Sequence, residues 1–475
     1  MRLIVAVLDK NGANVTPKVI ETLKSCIKAS NFGVTSASEA VATKTIELLP
    51  QEVSSPIAVG FATTKHNKKP VVMKTEDKTA IFSGSIYKSE SNSVLEAITK
   101  NPREKTIDAV KSCMHIAEGD FSLIVTEANK LLVARDPLGV EPLYYGENNQ
   151  IVAVASNRKI LWRLGIDSPK SFPPGNIAIV KRGGFTFQPV KVLNYSAPTH
   201  ITLGDAVDKL KKLLEQSVKL RLKGVQKVAV AFSGGLDSSI VAFLAKKFGA
   251  DVQLVHVSLD NQPETAYALK AAEELGLPLE VQLFKETDIE RVIHEVVWLI
   301  EDADPLKVSI GVPFYWIAEK VAEAGFSVLL AGQGADELFG GYKRYVNEYM
   351  MGGEENVRKT IYRDVVSIHE SNIERDKKIC GFHDVELRLP FASYKLADFA
   401  LSLPVELKFD KKADSFRKIV LRETAQRIGL SEAIVWKHKK AIQYGTGVSS
   451  ALKRIAKRKK ISLAEYIERV FRERM

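Results

Sequence analysis

The chain has 475 residues, of which 45% are apolar and 26% charged, which excludes a single ordinary core and a disordered or fibrous protein. No run of about 18 apolar residues occurs, excluding a membrane-spanning helix. Three scattered cysteines, Cys26, Cys113 and Cys380, exclude a disulfide framework and a cysteine metal pattern, and fit a reducing, cytoplasmic setting.

The net charge of +11 is uneven. Twelve Lys/Arg face three Asp/Glu between Ile434 and Met475, so the rest of the chain is close to neutral. The basic character belongs to the tail.

In chain order, the opening run Met1–Asp9 is too short for a signal peptide and ends in an acid, so it reads as a strand. Residues 1–190 are β-rich. Strands are expected over Ile57–Thr64, Ala80–Ile86, Phe121–Glu127, Lys130–Asp136, Ile151–Asn157 and Ile177–Lys181. Short polar turns pair several of them: Ala128-Asn129, Glu147-Asn148-Asn149 and Arg182-Gly183-Gly184. Helices over Pro17–Ala29 and Val94–Ile116 would cover the sheets, giving a layered α+β domain. A polar linker, Tyr195–His200, follows.

From Thr202 the period changes. A helix with Ala206, Leu210, Leu213 and Leu214 on its apolar face leads into alternating elements. Strands are expected at Lys227–Phe232, Val252–Val257, Leu279–Phe284 and Ser327–Ala331. Helices are expected at Ser238–Phe248, Glu264–Leu275, Asp288–Ile300 and Val312–Glu323. Such alternation implies a doubly wound parallel sheet, whose ligands sit beyond the carboxyl ends of the strands. Residues from about 345 onward read as mostly helical, with Ala464–Phe471 amphipathic.

The segment Ser233-Gly-Gly-Leu-Asp-Ser-Ser239 joins an expected strand to an expected helix. Gly234 and Gly235 permit a tight turn and close backbone approach. The following helix offers unpaired N–H groups and the positive end of its dipole. Ser233, Ser238 and Ser239 add hydroxyl donors, making an anion site of pyrophosphate size. Asp237 would repel phosphate by itself; its presence makes sense if it holds Mg²⁺ against the phosphates. The chain contains no Gly-Lys dipeptide, so this is not a Walker A loop.

These residues resemble the PP-loop of N-type ATP pyrophosphatases. Leu330-Ala-Gly-Gln-Gly-Ala-Asp-Glu-Leu-Phe-Gly-Gly-Tyr342 is similar to the matching motif of asparagine synthetases. Asp384–Phe391 and Trp436–Gly445 are similar to that family's C-terminal segments. In the first half, Gly119-Asp-Phe121, Arg135–Tyr145 and Phe172-Pro-Pro-Gly175 resemble the family's glutaminase domain. The resemblance implies Ntn-hydrolase-like layered sheets over residues 1–190, then an α/β doubly wound parallel-sheet PP-loop domain over 200–475 with a mostly helical C-terminal part.

It also implies roles. Asp336 joins Asp237 on Mg²⁺, although it could equally cap a helix. Val257 frames adenine through its backbone, followed by Ser258. Gly332 and Gly334 line the nucleotide. Lys439, with Lys440 second, neutralises charge as the α-phosphate is attacked. His256 reads as a satisfied core histidine.

Three departures bear on nitrogen. Residue 2 is Arg where glutamine-dependent members expose Cys. Ser83 and Ser85 stand in Phe82–Ile86 where the family has an Asn-Gly-Glu segment. The family's Arg-Gly-Pro segment is absent. The N-terminal domain therefore reads as a degenerate amidotransferase.

Two further departures bear on the acceptor. Gln333 stands where the family carries Glu, and a Gln cannot act as a base. Pro390-Phe-Ala-Ser393 replaces Pro-Phe-Leu-Asp.

The leading expectation is an ammonia-dependent asparagine synthetase-like ligase using ATP and Mg²⁺. Alternatives are a PP-loop ligase for another carboxylate or for RNA, and a non-catalytic ATP-binding protein. Expected partners are ATP, aspartate or a related carboxylate, ammonia, an ammonia-supplying protein and a homodimer mate. Nucleic acid and membrane are not expected.

Overall fold

The computed structural model describes residues 2–26, 31–36, 40–43, 54–64, 69–88, 91–101, 105–410, 416–437 and 441–474. The chain forms two compact units, Met1–Val192 and Leu193–Met475.

The first unit stacks two antiparallel sheets. The seven-stranded sheet runs, edge to edge, Lys170–Ser171, Tyr144–Glu147, Ile151–Ala155, Arg2–Asp9, Ile57–Thr63, Asn31–Thr35 and Ala40–Thr43. The six-stranded sheet runs Gly184–Pro189, Asn176–Lys181, Lys130–Arg135, Gly119–Glu127, Thr79–Ile86 and Val71–Lys74. Alternation decides the layers. Ile4, Ala6 and Leu8 point inward with Val59 and Phe61, against Ile81, Ile124, Leu131 and Val133 of the other sheet.

The opposite face of the second sheet, including Phe82, Leu123 and Val125, packs on Leu95, Ile98, Val110 and Met114 of two helices. The helix Thr16–Cys26 covers the first sheet. This helix–sheet–sheet–helix order is the expected Ntn-hydrolase-like layering. The three expected turns close hairpins, at Glu127↔Lys130, between Tyr144–Glu147 and Ile151–Ala155, and at Lys181↔Gly184. One expectation needs correcting. The helix anticipated over Val94–Ile116 is two, Ser91–Thr99 and Thr106–Ile116, because Pro102 cannot donate a helical hydrogen bond and disfavours helix in the residue before it.

The second unit contains a five-stranded parallel sheet in the order Leu279–Phe284, Asp251–Leu259, Lys227–Ala231, Val328–Leu330, Glu386–Arg388. The doubly wound expectation holds. The last strand was not foreseen, since three residues carry no readable period. The helix expected from Val312 begins at Pro305, where Asp304 accepts from the Leu306 and Lys307 N–H groups. An Asp-Pro start outweighs the internal Pro313.

Strand order reverses direction between Lys227–Ala231 and its neighbour Val328–Leu330. The crevice at such a switch point is where doubly wound sheets bind ligands. Both motif loops leave from the carboxyl ends of these two strands.

The basic tail is folded. The helix Val448–Arg458 buries Val448, Ala451, Leu452 and Ile455, and the helix Leu463–Arg474 buries Tyr466, Ile467 and Val470. Its cations meet acids of the helix Glu286–Ile300: Arg454 and Arg458 pair with Glu286, Lys459 with Glu290 and Arg474 with Glu295.

Candidate active site

The strand Lys227–Ala231 delivers the loop Phe232–Gly235, and the helix Leu236–Lys247 starts directly after it, with Gly235 as N-cap. Gly234 has φ +66°, and a Cβ there would lie 2.9 Å from Ala268 Cα, so only glycine fits. Ser238 Oγ lies 3.3 Å from Ser233 N and 3.3 Å from Ser233 Oγ, which folds the loop onto the first helical turn. Leu236 is buried and anchors that turn. The Ser239 hydroxyl is buried and has no hydrogen-bond partner among the described residues, an unsatisfied donor at the start of this helix.

The second loop approaches the first closely. A Cβ on Gly332 would lie 2.9 Å from Asp237 Cβ. Gly334, at φ +96°, caps the short helix Ala335–Phe339, whose first turn carries Asp336. The two carboxylates converge on one cation. Lys418 Nζ lies 2.7 and 2.6 Å from the Asp237 oxygens and 2.7 Å from Asp336 Oδ1. Lys418 is only 3% exposed. Burial alone would depress its amine, but Asp237 and Asp336 outweigh that and hold it above the usual lysine range. Gly341 completes the fit: a Cβ there would fall 2.0 Å from Asp336 Oδ1 and 2.4 Å from Lys418 Cε.

Lys418 was not singled out from the sequence. In Arg417-Lys418 it reads as one of two solvated charges. A signal existed, because a cation at the start of the helix Ile419–Ile428 opposes the helix dipole. Such a local conflict marks functional positions.

Asp237 and Asp336 also suit Mg²⁺. That ion is usually held by one or two carboxylates and completes its shell with substrate phosphate oxygens and water. Two carboxylates already sharing one cation fit that pattern. No cluster of three or more His, Cys, Asp or Glu suited to a metal occurs among the described residues.

The other expected residues take these places. Val257 and Ser258 are buried near the carboxyl end of the strand Asp251–Leu259, beside the strand Lys227–Ala231. His256 hydrogen-bonds Phe232 O at 2.9 Å and Thr265 Oγ1 at 3.2 Å, with burial lowering its affinity for a proton. Gln333 is half-buried and hydrogen-bonds through its side chain to Asp376, a carboxylate raised by its own burial and paired with Arg375. Lys439 and Lys440 lie outside the described residues. Before them, Lys437 pairs with Glu264 at 3.4 Å and sits over the Tyr267 ring. Beyond them, Thr446 O accepts from Leu259 N.

In the first unit, Arg135 is fully buried and donates to the carbonyls of Gly139, Glu141 and Phe172, which fixes the loop ahead of Glu141. The Glu141 carboxylate accepts from Arg2 Nη2 at 2.5 Å and from Ser83 Oγ at 3.1 Å.

A glycine-turned loop at a helix start and an acid loop meet at the switch point of a parallel sheet, an arrangement suited to phosphate groups. The model of the family described as Asparagine synthase matches residues 209–355 and 346–474, and that of a Glutamine amidotransferase domain matches 57–163. The chain belongs to the asparagine synthase family, whose members are ATP-using ligases that form C–N bonds.

Among curated relatives, a putative glutamine-hydrolysing asparagine synthetase of Methanocaldococcus jannaschii is 29% identical over 464 residues, covering 84% of this chain and 85% of that one. Glutamine-hydrolysing asparagine synthetase 1 of Arabidopsis thaliana is 28% identical, covering 79% and 68%. Glutamine-hydrolysing asparagine synthetase B of Escherichia coli is 28% identical, covering 71% and 62%.

Proposed function

We propose that residues 200–475 adenylate the side-chain carboxylate of aspartate and amidate it with ammonia, while residues 1–190 are an amidotransferase-like domain that no longer hydrolyses glutamine. The observation that carries the reading is the Asp237–Lys418–Asp336 cluster at the head of the phosphate loop.

In the first step an aspartate carboxylate oxygen bonds to the α-phosphorus of ATP. The bond to the bridging oxygen breaks, and pyrophosphate leaves with the electron pair. In the second, ammonia nitrogen bonds to the acyl carbon, AMP departs, and the nitrogen gives its surplus proton to solvent. Mg²⁺ held by Asp237 and Asp336 would supply charge neutralisation on the leaving pyrophosphate.

The chain's own groups do the rest. Backbone N–H groups of Gly234, Gly235 and the helix start, with the hydroxyls of Ser233, Ser238 and Ser239, receive phosphate oxygens. Lys418 adds a fixed ammonium beside them. Val257 and Ser258 frame adenine, while Gly332 and Gly334 keep the second loop close. The cation on the attacked phosphate belongs to Lys439, with Lys440 as the second candidate.

The ammonia reading rests on Arg2. Its guanidinium occupies the start of the strand where a thiol nucleophile would be needed, and it is tied to Glu141, whose carboxylate also accepts from Ser83. A guanidinium is neither nucleophile nor base at neutral pH. Ammonia then comes from solution or a partner protein.

A second reading, another acceptor carboxylate, is favoured by Gln333 and by Ala392-Ser393, which remove two acids from the acceptor side. The RNA alternative is weakened, since four of the tail cations, Arg454, Arg458, Lys459 and Arg474, pair with Glu286, Glu290 and Glu295.

The test is pyrophosphate release from ATP with aspartate and ammonium, together and singly, and with a panel of other carboxylates. Aspartate-dependent release with asparagine as product is expected. No AMP with aspartate, but release with another carboxylate, would establish the second reading.

A further inference from the structure

Lys408 stands outside the cluster described above, yet its bonds close a ring around it. It is 2% exposed. Its ammonium donates to Leu338 O at 2.8 Å and to Ala400 O. Leu338 lies in the last turn of the helix whose first turn carries Asp336. Ala400 lies in the last turn of the helix Tyr394–Ser402. The ammonium therefore caps two helix C-terminal ends, where dipoles favour a cation.

The backbone of the same residue reaches the other arm. Lys408 O accepts from Ile419 N at 2.9 Å, the residue after Lys418, and Phe409 bridges Arg417. Arg417 Nε in turn donates to Gly341 O at 3.0 Å, and Gly341 N to Asp336 O at 2.8 Å. Gly340 packs where a Cβ would lie 3.2 Å from Lys408 Cβ. Asp336 and Lys418 thus belong to one hydrogen-bonded ring that passes through Lys408.

An ammonium buried against carbonyls alone is costly. Burial pushes this amine down to about 7. Methionine would fill the same space without that cost, so the charge needs a reason.

We propose that Lys408 is a positioning residue for the pyrophosphate site. Its ammonium grips the end of the Asp336 helix and its carbonyl grips the Lys418 segment, which sets the separation of those two side chains. This rests on Asp237, Asp336 and Lys418 being the pyrophosphate site.

The test uses the full chain with Lys408→Met, and with Lys408→Gln, which keeps one side-chain donor group. Calorimetric binding of magnesium pyrophosphate should weaken at least tenfold in Lys408→Met and less in Lys408→Gln. The magnesium concentration giving half-maximal pyrophosphate release should rise by a similar factor, while KM for the acceptor carboxylate stays within about twofold. A merely structural lysine would not move the magnesium dependence alone.

Folded Lys408→Met with unchanged pyrophosphate affinity overturns the proposal. Should both variants fail to fold, hydrogen exchange on the wild-type chain decides. Magnesium pyrophosphate must slow exchange at Ile419 and Phe409 together with Gly341. Protection of Gly341 alone overturns the proposal. If the wild-type chain binds no magnesium pyrophosphate, the site reading fails and takes the proposal with it.

Discussion

Lys418 Nζ and Asp237 Oδ2 meet at 2.6 Å although 181 positions separate the two residues in the chain. The same ammonium reaches Asp336, so one buried side chain joins both motif loops.

Lys418→Met should therefore strip the site of its fixed cation and leave two carboxylates facing each other. Pyrophosphate release should fall by roughly 100-fold or more, the usual scale for a lost electrostatic partner of about 3 kcal/mol. Mg²⁺ should raise the melting temperature of this variant more than that of the wild type, since the ion relieves the repulsion. Equal shifts in both would show that the carboxylates do not share a cation site.

Asp237→Ala and Asp336→Ala should each abolish pyrophosphate release while the fold survives, because Lys418 keeps one partner. The double variant leaves a buried ammonium unpaired, which typically costs about 3–5 kcal/mol. Its loss of stability should exceed the sum of the single losses in a denaturation cycle. Simple additivity would refute the shared bridge.

The pH dependence of stability offers a separate check at Lys408. Its amine falls to about 7 in the folded state, against an ordinary value near 10.5. Below pH 7 both states carry the proton and the fold bears the whole cost of the buried charge. Above pH 7 the native amine is neutral while the unfolded one stays charged, so this contribution rises with pH until about 10.5. The slope is at most about 1.4 kcal/mol per pH unit. Denaturant titrations at pH 7 and 9.5 should show Lys408→Met losing its advantage, or deepening its deficit, relative to wild type as pH rises.

Nitrogen supply is tested with isotope. Amide-labelled glutamine should give no labelled product, and labelled ammonium should label it fully. Transfer from glutamine by the purified chain would mean that the Arg2–Glu141 pair does not disable the first unit.

Deleting residues from Lys453 onward should lower the melting temperature, because it removes Ile455, Tyr466, Ile467 and Val470 from packed positions. RNA binding at about 150 mM salt should be weak and unselective with or without the tail. Selective binding lost on truncation would revive the RNA reading.

Much of this molecule was legible from local signals. The turn Ala128-Asn129, the alternation in Phe121–Glu127 and the strand-to-helix change around Ser233–Ser239 are short-range features, and each predicts its own structure. What was missed depends on distant partners. The strand Glu386–Arg388 exists because Val328–Leu330 offers it an edge. Lys418 and Lys408 look like ordinary surface lysines until the fold buries them. Asp304-Pro305 was a local signal that the internal Pro313 obscured. Lys439 and Lys440, expected from resemblance, fall outside the described residues.

Gly341 shows how the smallest change could do the most harm. Its hydrogen occupies the one space between Asp336 and Lys418, so Gly341→Ala must push the acid and the lysine apart. Every charged residue would remain, and a survey of the motif's acids and lysines would class such a natural variant as active. A loss-of-function allele at this position would be invisible to any method that counts ionisable groups and never asks how much room they have.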